Sequence, residues 1–300
     1  MSDSLSGRVL CPASDQTGLS EASSGMRPAM DELVLGESPR WHDGWLWVAD
    51  WAAHELITLD AGGTRQVAER PASIPCCIDW LPDGRLLLVS GDRLLRREPD
   101  GTMATHAELA QLDPHPWNDI AVDSHGNVFV GCIGFDFPAG EFAPGIIAVV
   151  TPDGVARTAA ENLAFPNGMV VTPDDATLIV AESYGNRLTA FDIGAGGALS
   201  NRRVWADLGG DHPDGICLDA EGAVWAADVG NKHCVRVREG GQVLQTVDAD
   251  RGCFACTLGG ADGRTLYIVT AQWPSDFRTP TGQVLAVPVT VPSARAATAG

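Results

Sequence analysis

AFPNGMVVTPDDATLIVAES, residues 164–183, sets an amide between a proline and a glycine, runs into an apolar strand, turns at PDD and leaves as a second apolar strand. An isolated asparagine in such a place makes a turn, because its side chain tolerates tight backbone and hydrogen-bonds locally. The second half of the stretch is one copy of a recurring phrase, a D-G-type turn followed by a short apolar strand. HDGWLWVADW (42–51), PDGRLLLVSG (82–91), SHGNVFVGCI (124–133), PDDATLIVAE (173–182), AEGAVWAADV (220–229) and ADGRTLYIVT (261–270) make six copies, 40 to 49 residues apart. Further short strands such as ELITLDAGG, GIIAVVTPDG and RLTAFDIGAGG fill each interval and end in Gly or Asp turns that suit hairpins. Helical periodicity is absent. Six four-stranded units without helices predict an all-β fold, a six-bladed β-propeller around a central channel. The strand ELVL (32–35) is expected to pair with VLAVPV (284–289) and close the ring, leaving no exposed sheet edge.

Composition bounds the partners. Of 300 residues, 39 are acidic and 20 basic, a formal charge of −19, which argues against nucleic acid or an anionic membrane as partner and suits a protein that holds a cation. No stretch reaches the ~18 apolar residues of a membrane span. Residues 1–30 are rich in Ser, Gly and Ala without the apolar core of a secretory signal and read as a disordered tail, with the propeller over 31–290 and a C-terminal tail over 291–300. Eight cysteines without a signal peptide read as reduced thiols of a cytoplasmic protein. The CxxC at Cys253 and Cys256 has no second CxxC or His pair beside it and reads as buried small side chains.

Aligning the copies exposes one position. Counted back from each turn, it holds Glu37, Cys76, Asn118, Asn167, Asp214 and Ala255 in successive blades, in the frames GESPRW, PWNDIAVD, FPNGMVV and HPDGICLD for its four polar members. Equivalent positions in a propeller form a ring around the axis. Two carboxylates and two amide oxygens converging at one mouth of the channel suit a hard divalent cation, Ca²⁺ first, with Mg²⁺, Mn²⁺ or Zn²⁺ as other occupants. The alternative at each position is an ordinary Asn-Gly or Asp-Gly turn. The same register predicts that Cys76 faces the channel and that Cys217 is buried.

The motifs LGESPRW, WNDIAVDSHGNVF, FPNGMVVTPDDATLIVAES and HPDGICLDAEGAVWAA, with LSNRRVWADL, resemble the family of senescence marker protein (regucalcin) and the gluconolactonases over about residues 32 to 290. The resemblance implies a six-bladed propeller whose single divalent cation is held by Glu37, Asn167 and Asp214, with Asn118 beside it and facing substrate. It also implies metal-assisted opening of a lactone ring, in which the cation polarises the carbonyl, Asn118 donates to the oxyanion and Asp214 takes the proton from water. Here the chain departs from members that open sugar lactones, which carry an arginine where Pro116 stands. The lost guanidinium points to a more apolar small-molecule lactone, with Cys76, His115, Trp117, Phe135, Phe137 and Trp51 as candidate walls. His212 and His115 are the other candidate bases. A non-catalytic Ca²⁺-binding regulatory protein and a phosphorus-ester hydrolase on the same site stay open beside this reading.

Overall fold

The computed structural model describes residues 25–294, which form twenty-four strands and two short 3-10 turns. The strands are β1 (Arg27–Leu33), β2 (Gly36–His42), β3 (Trp45–Asp50), β4 (Glu55–Leu59), β5 (Arg65–Glu69), β6 (Cys76–Trp80), β7 (Leu86–Ser90), β8 (Arg93–Arg97) and β9 (Met103–Glu108). They continue with β10 (Trp117–Val122), β11 (Val128–Cys132), β12 (Gly145–Val150), β13 (Ala156–Leu163), β14 (Pro166–Val171), β15 (Thr177–Glu182), β16 (Arg187–Ile193) and β17 (Leu199–Asp207). Last come β18 (Pro213–Leu218), β19 (Val224–Asp228), β20 (His233–Val237), β21 (Val243–Asp248), β22 (Gly252–Gly259), β23 (Thr265–Ala271) and β24 (Gly282–Pro288). They build six four-stranded antiparallel sheets, five of them consecutive in sequence and the sixth in the order β1-β24-β23-β22. The molecule is a six-bladed propeller.

The turn that defines the repeat has a single physical cause. Its second residue sits at positive φ in every blade: Gly44 (79°), Gly84 (82°), Gly126 (82°), Asp175 (56°), Gly222 (76°) and Gly263 (70°). Glycine reaches this region without a Cβ clash, and aspartate is among the few other residues that visit it. PDD in the fourth blade therefore does the work that D-G does elsewhere.

Ring closure occurs, with its partner shifted. β1 pairs with β24 through Arg27↔Ala286, Met30↔Val284 and Leu33↔Gly282, so closure begins at Arg27, inside the stretch expected to be tail. Val34 and Leu35, expected in this strand, instead donate their N–H groups to the Asp50 carboxylate at 2.8 and 3.0 Å as the chain crosses into the first blade. Residues 1–24 and 295–300 lie outside the described residues. In the expected C-terminal tail, Ser293 bridges to Asp219. The core is a ring of apolar layers between neighbouring blades. Trp117 lies wholly inside the layer between the second and third, among Cys77, Leu94, Leu109 and Val130.

The six inner strands, β2, β6, β10, β14, β18 and β22, stand side by side around the axis. Five of them shift register at the aligned position: between Glu37 and Arg40, Asn118 and Ile120, Pro166 and Met169, Pro213 and Ile216, and Cys253 and Ala255. β6 alone pairs regularly with β7 from Cys76 to Trp80. A bulge bends its strand and re-aims a side chain. Without one, Cys76 is turned into the interblade core and is fully buried among Ala49, Leu56 and Ile78. That overturns its expected place on the channel, while Cys217 is buried at 9 % exposure, as expected.

The glycines of PNG and PDG belong to these bulged strands and have no positive φ. A Cβ on Gly168 would lie 2.5 Å from the Ile216 nitrogen and 2.6 Å from the Asp214 oxygen, and one on Gly215 would lie 2.4 Å from the Ala255 Cβ. The glycines thus let the fourth, fifth and sixth inner strands approach. Gly168→Ala is expected to cost about 1–3 kcal/mol or more, the range for overpacking, because backbone cannot yield as a side chain can. Gly210→Ala, with nothing within 4 Å of the added carbon, is expected to stay within about 0.5 kcal/mol of wild type. Urea denaturation of both variants checks the difference.

Candidate active site at the channel mouth

Four of the aligned residues meet at one end of the channel. Asn118 Nδ2 donates to Asn167 Oδ1 at 2.9 Å, Asn167 also hydrogen-bonds Asp214, and the charges of Glu37 and Asp214 act on one another. Asn118 and Asn167 are 6 % and 8 % exposed, while Glu37 and Asp214 keep part of their surface open. Sequence reasoning brought this set together and placed it correctly at the start of inner strands. It missed what holds the set. Ser183 Oγ donates to the Pro213 carbonyl at 2.7 Å and so offers a lone pair to Asn167 Nδ2 at 3.2 Å, which turns the Asn167 amide oxygen towards Asn118. Asp119, at φ 42° in the bulge, accepts Arg40 Nη2 at 2.7 Å and the Met169 N–H at 3.0 Å, tying the first, third and fourth blades together beneath the site. A serine after an acid and an aspartate after an asparagine carry no sequence signal of these roles.

The electrostatics are those of a crowded acidic pocket. Burial pushes the Glu37 carboxyl well above the ordinary range, and the Asp214 and Asp119 charges push it further. Asp214 is likewise raised, chiefly by burial, against the opposing hydrogen bond from Asn167. The neighbouring guanidinium, Arg40, is already paired with Asp119. Asn118 Oδ1 takes the Cys77 thiol at 3.7 Å, so two carboxylates and the Asn167 amide oxygen are the oxygen donors of the set, and they fit a hard cation.

Other expected residues fall elsewhere. Trp117, a candidate substrate contact, is 0 % exposed and can touch nothing in the channel, and Cys76 is equally buried. Trp51 is bound through Nε1 to the Cys76 carbonyl at 2.7 Å. His115 is half-buried on the loop before β10 and shares Asp113 Oδ1 at 2.7 Å. His212 is exposed, with Nδ1 3.1 Å from the Ser183 carbonyl. Phe135 and Phe137, on the loop after β11, join Phe142, Phe165 and Tyr184 in a cluster with centroid separations of 5.0 to 6.3 Å. Phe165 and Tyr184 directly flank Pro166–Asn167 and Ser183, so this apolar surface adjoins the polar set. A third group, Asp211, Asp228 and His233, brings ligand atoms within 4.8 Å of one another on the fifth blade.

Because both carboxyls have folded-state pKa values above their unfolded ones, cation-free protein loses stability as pH rises past the ordinary carboxylate range and each is forced to ionise. Glu37→Gln removes one of the two charges. In chelator, the variant is expected to melt above wild type at about pH 7, with the gap closing near pH 4, where unfolded carboxylates protonate. Thermal melts across pH read the effect. A variant that melts lower at neutral pH contradicts it.

Comparison with known proteins agrees with this architecture. Residues 35–272 match the description SMP-30/Gluconolactonase/LRE-like region. The chain is 28% identical over 250 residues to regucalcin of Xenopus laevis, covering 79% of this chain and 83% of the relative. It is 27% identical over 285 residues to 6-deoxy-6-sulfogluconolactonase of Pseudomonas putida, covering 86% and 92%. The solved structure of a calcium-binding protein, regucalcin, from Agrobacterium tumefaciens superposes with a TM-score of 0.72 at 24% identity, over 88% of this chain and 95% of that one, and shares its fold. With more than half its length matched in this way, the chain belongs to the SMP-30/gluconolactonase/LRE-like family, among whose members are lactonases.

Proposed function

We propose that this protein is a divalent-cation-dependent lactonase whose substrate carries an apolar group beside the lactone ring. The observation that supports the reading is the gathering of Glu37, Asn118, Asn167 and Asp214 at the channel mouth, with two raised carboxyls, two oriented amides and the one nearby guanidinium already paired. Glu37, Asn167 and Asp214 would hold the cation, Ca²⁺ by the hardness and number of the oxygen donors. Bound there, it supplies Lewis acidity to the ester carbonyl and to water.

The protein's own groups divide the remaining work. Asn118 Nδ2 spends one hydrogen on Asn167 and has a second for the oxyanion that forms as the carbonyl is attacked. Asp214 is the carboxylate assigned to take the proton from water, through the oxygen that does not hold the cation. Pro116 contributes only its carbonyl, which accepts the Ile133 N–H at 2.9 Å, so no charged group stands there to grip sugar hydroxyls. The exposed faces of Phe137, Phe142 and Tyr184 reward burial of an alkyl or aryl group at about 25 cal/mol per Å² instead. Lactone opening by a cytoplasmic enzyme without nucleic-acid or membrane partners accords with the acidic composition.

Turnover of a lactone panel, with and without chelator, tests the reading. Chelation is expected to abolish hydrolysis and Ca²⁺ to restore it. Alkyl or aryl lactones are expected to exceed gluconolactone in kcat/KM by about tenfold, which needs about 1.4 kcal/mol of differential transition-state binding. Asp214→Ala is expected to stay folded, because stability is spread over six blades, and to lose the cation by elemental analysis. Activity that survives chelation defeats the metal assignment. Gluconolactone leading the panel defeats the apolar one, and turnover of phosphorus esters alone redirects the site to that chemistry.

A further inference from the structure

Three of the six blades end their second strand in a buried acid: Asp50 on β3, Glu182 on β15 and Asp228 on β19, exposed by 1, 0 and 1 %. All three occupy one lattice position. Asp50 pairs with Gly36, Glu182 with Pro166 and Asp228 with Pro213, in each case the residue immediately before Glu37, Asn167 or Asp214. The other three blades end the same strand in Ser90, Cys132 and Ala271, and their aligned residues are Cys76, Asn118 and Ala255. The acids therefore occur in those blades, and only those, that carry the proposed cation ligands.

Their hydrogen bonds explain the pairing. Asp50 accepts the Val34 and Leu35 N–H groups at 2.8 and 3.0 Å, Glu182 accepts that of Ala164 at 2.7 Å, and Asp228 accepts that of His212 at 2.6 Å. Each bond fastens the backbone two or three residues ahead of a ligand, where the chain enters the bulged inner strand. Charge-assisted bonds of this kind are short and strong, which suits them to fixing backbone that is otherwise loop. Where the acid is missing, neutral contacts stand in: Ser73 Oγ meets Ser90 Oγ at 3.0 Å, and Cys132 Sγ donates to the His115 carbonyl at 3.6 Å.

We propose that Asp50, Glu182 and Asp228 are positioning residues that aim Glu37, Asn167 and Asp214 at a common cation by clamping the backbone that precedes each. The proposal rests on the metal reading above. It also assigns the Asp211, Asp228 and His233 group, in which Asp228 takes the His212 and Asn231 N–H groups and His233 Nε2 faces Asp211 Oδ1 at 3.2 Å, to this clamp.

Calorimetric titration of the chelated, full-length protein with CaCl₂ tests it. Asp50→Asn and Asp228→Asn keep side-chain shape and remove the charge, and each is expected to weaken Ca²⁺ binding about 10- to 100-fold, the usual cost of losing an outer-shell partner. KM for a lactone at saturating Ca²⁺ is expected to be unchanged, since neither residue meets substrate. Asp219→Asn is the control for a merely structural role. Asp219 is just as buried and accepts the Glu221 and Ala223 N–H groups at 2.9 and 3.0 Å, but at the opposite end of the fifth blade. It is expected to lower the melting temperature and leave Ca²⁺ affinity intact. Clamp variants that lose stability with unchanged affinity, as Asp219→Asn should, overturn the proposal. So does a wild type that binds two ions, one of them lost in Asp228→Asn with the other unaffected, because Asp228 would then be a ligand itself. If a variant does not fold, Glu182→Gln carries the same comparison. Failure of the metal reading looks different: wild type and Asp214→Ala would titrate alike.

Discussion

One extra residue in an inner strand, repeated around the ring, is the constraint on which the site depends. A regular strand alternates its side chains between faces, and the aligned position would then point into the packing between blades, as Cys76 does on β6. The bulge breaks that alternation locally and turns the next polar side chain towards the axis. It leaves a backbone that needs new partners, and the neighbouring blade supplies them. Ser38, at φ 46°, accepts the Ile78 N–H, and Asp119, at φ 42°, accepts that of Met169. Left-handed backbone at a non-glycine residue persists only where the surroundings over-determine it. The interblade bonds provide that surrounding, so the feature that gathers the polar set also stitches the blades.

This arrangement concentrates uncompensated negative charge. Glu37 and Asp214 are both driven above the ordinary carboxylate range, chiefly by burial, a cost that the local structure carries. The surrounding propeller tolerates the cost because its cohesion lies elsewhere, in six apolar interblade layers where no single site residue takes part. Cys217 and Cys256, 3.8 Å apart in one such layer, and the CxxC partner Cys253 behave as the small buried side chains their sequence context implied.

The mouth itself is asymmetric. Polar groups occupy the axis, while the loops that follow β11 and β23 carry aromatic residues, Phe135, Phe137 and Phe142 on one and Trp273 and Phe277 on the other. Pro116 brings no charged side chain to this mouth, and the aromatic cluster gives it apolar surface.

Much was legible in the sequence because a propeller writes its fold as a repeat. The left-handed turn residue allows only Gly and a few polar residues, so six copies of one phrase fixed blade number, strand count and the alignment that exposed Glu37, Asn118, Asn167 and Asp214. An acid ends WVAD, IVAE and AAD and is missing from LVS, VGC and VTA, but the sequence reading passed over it, because its bonds to the Val34, Leu35, Ala164 and His212 N–H groups show only in the structure. The orientation of a side chain at a bulge was not legible either, because a register shift depends on the pairing strand and leaves no mark on residue type. Trp117 and Cys76 were therefore assigned to the channel and lie in the core. Ser183, Asp119 and Arg40 sit close in sequence to residues of the set, but they bond partners 30 to 79 residues away, and only the ring that brings separate blades within hydrogen-bonding distance decides such contacts.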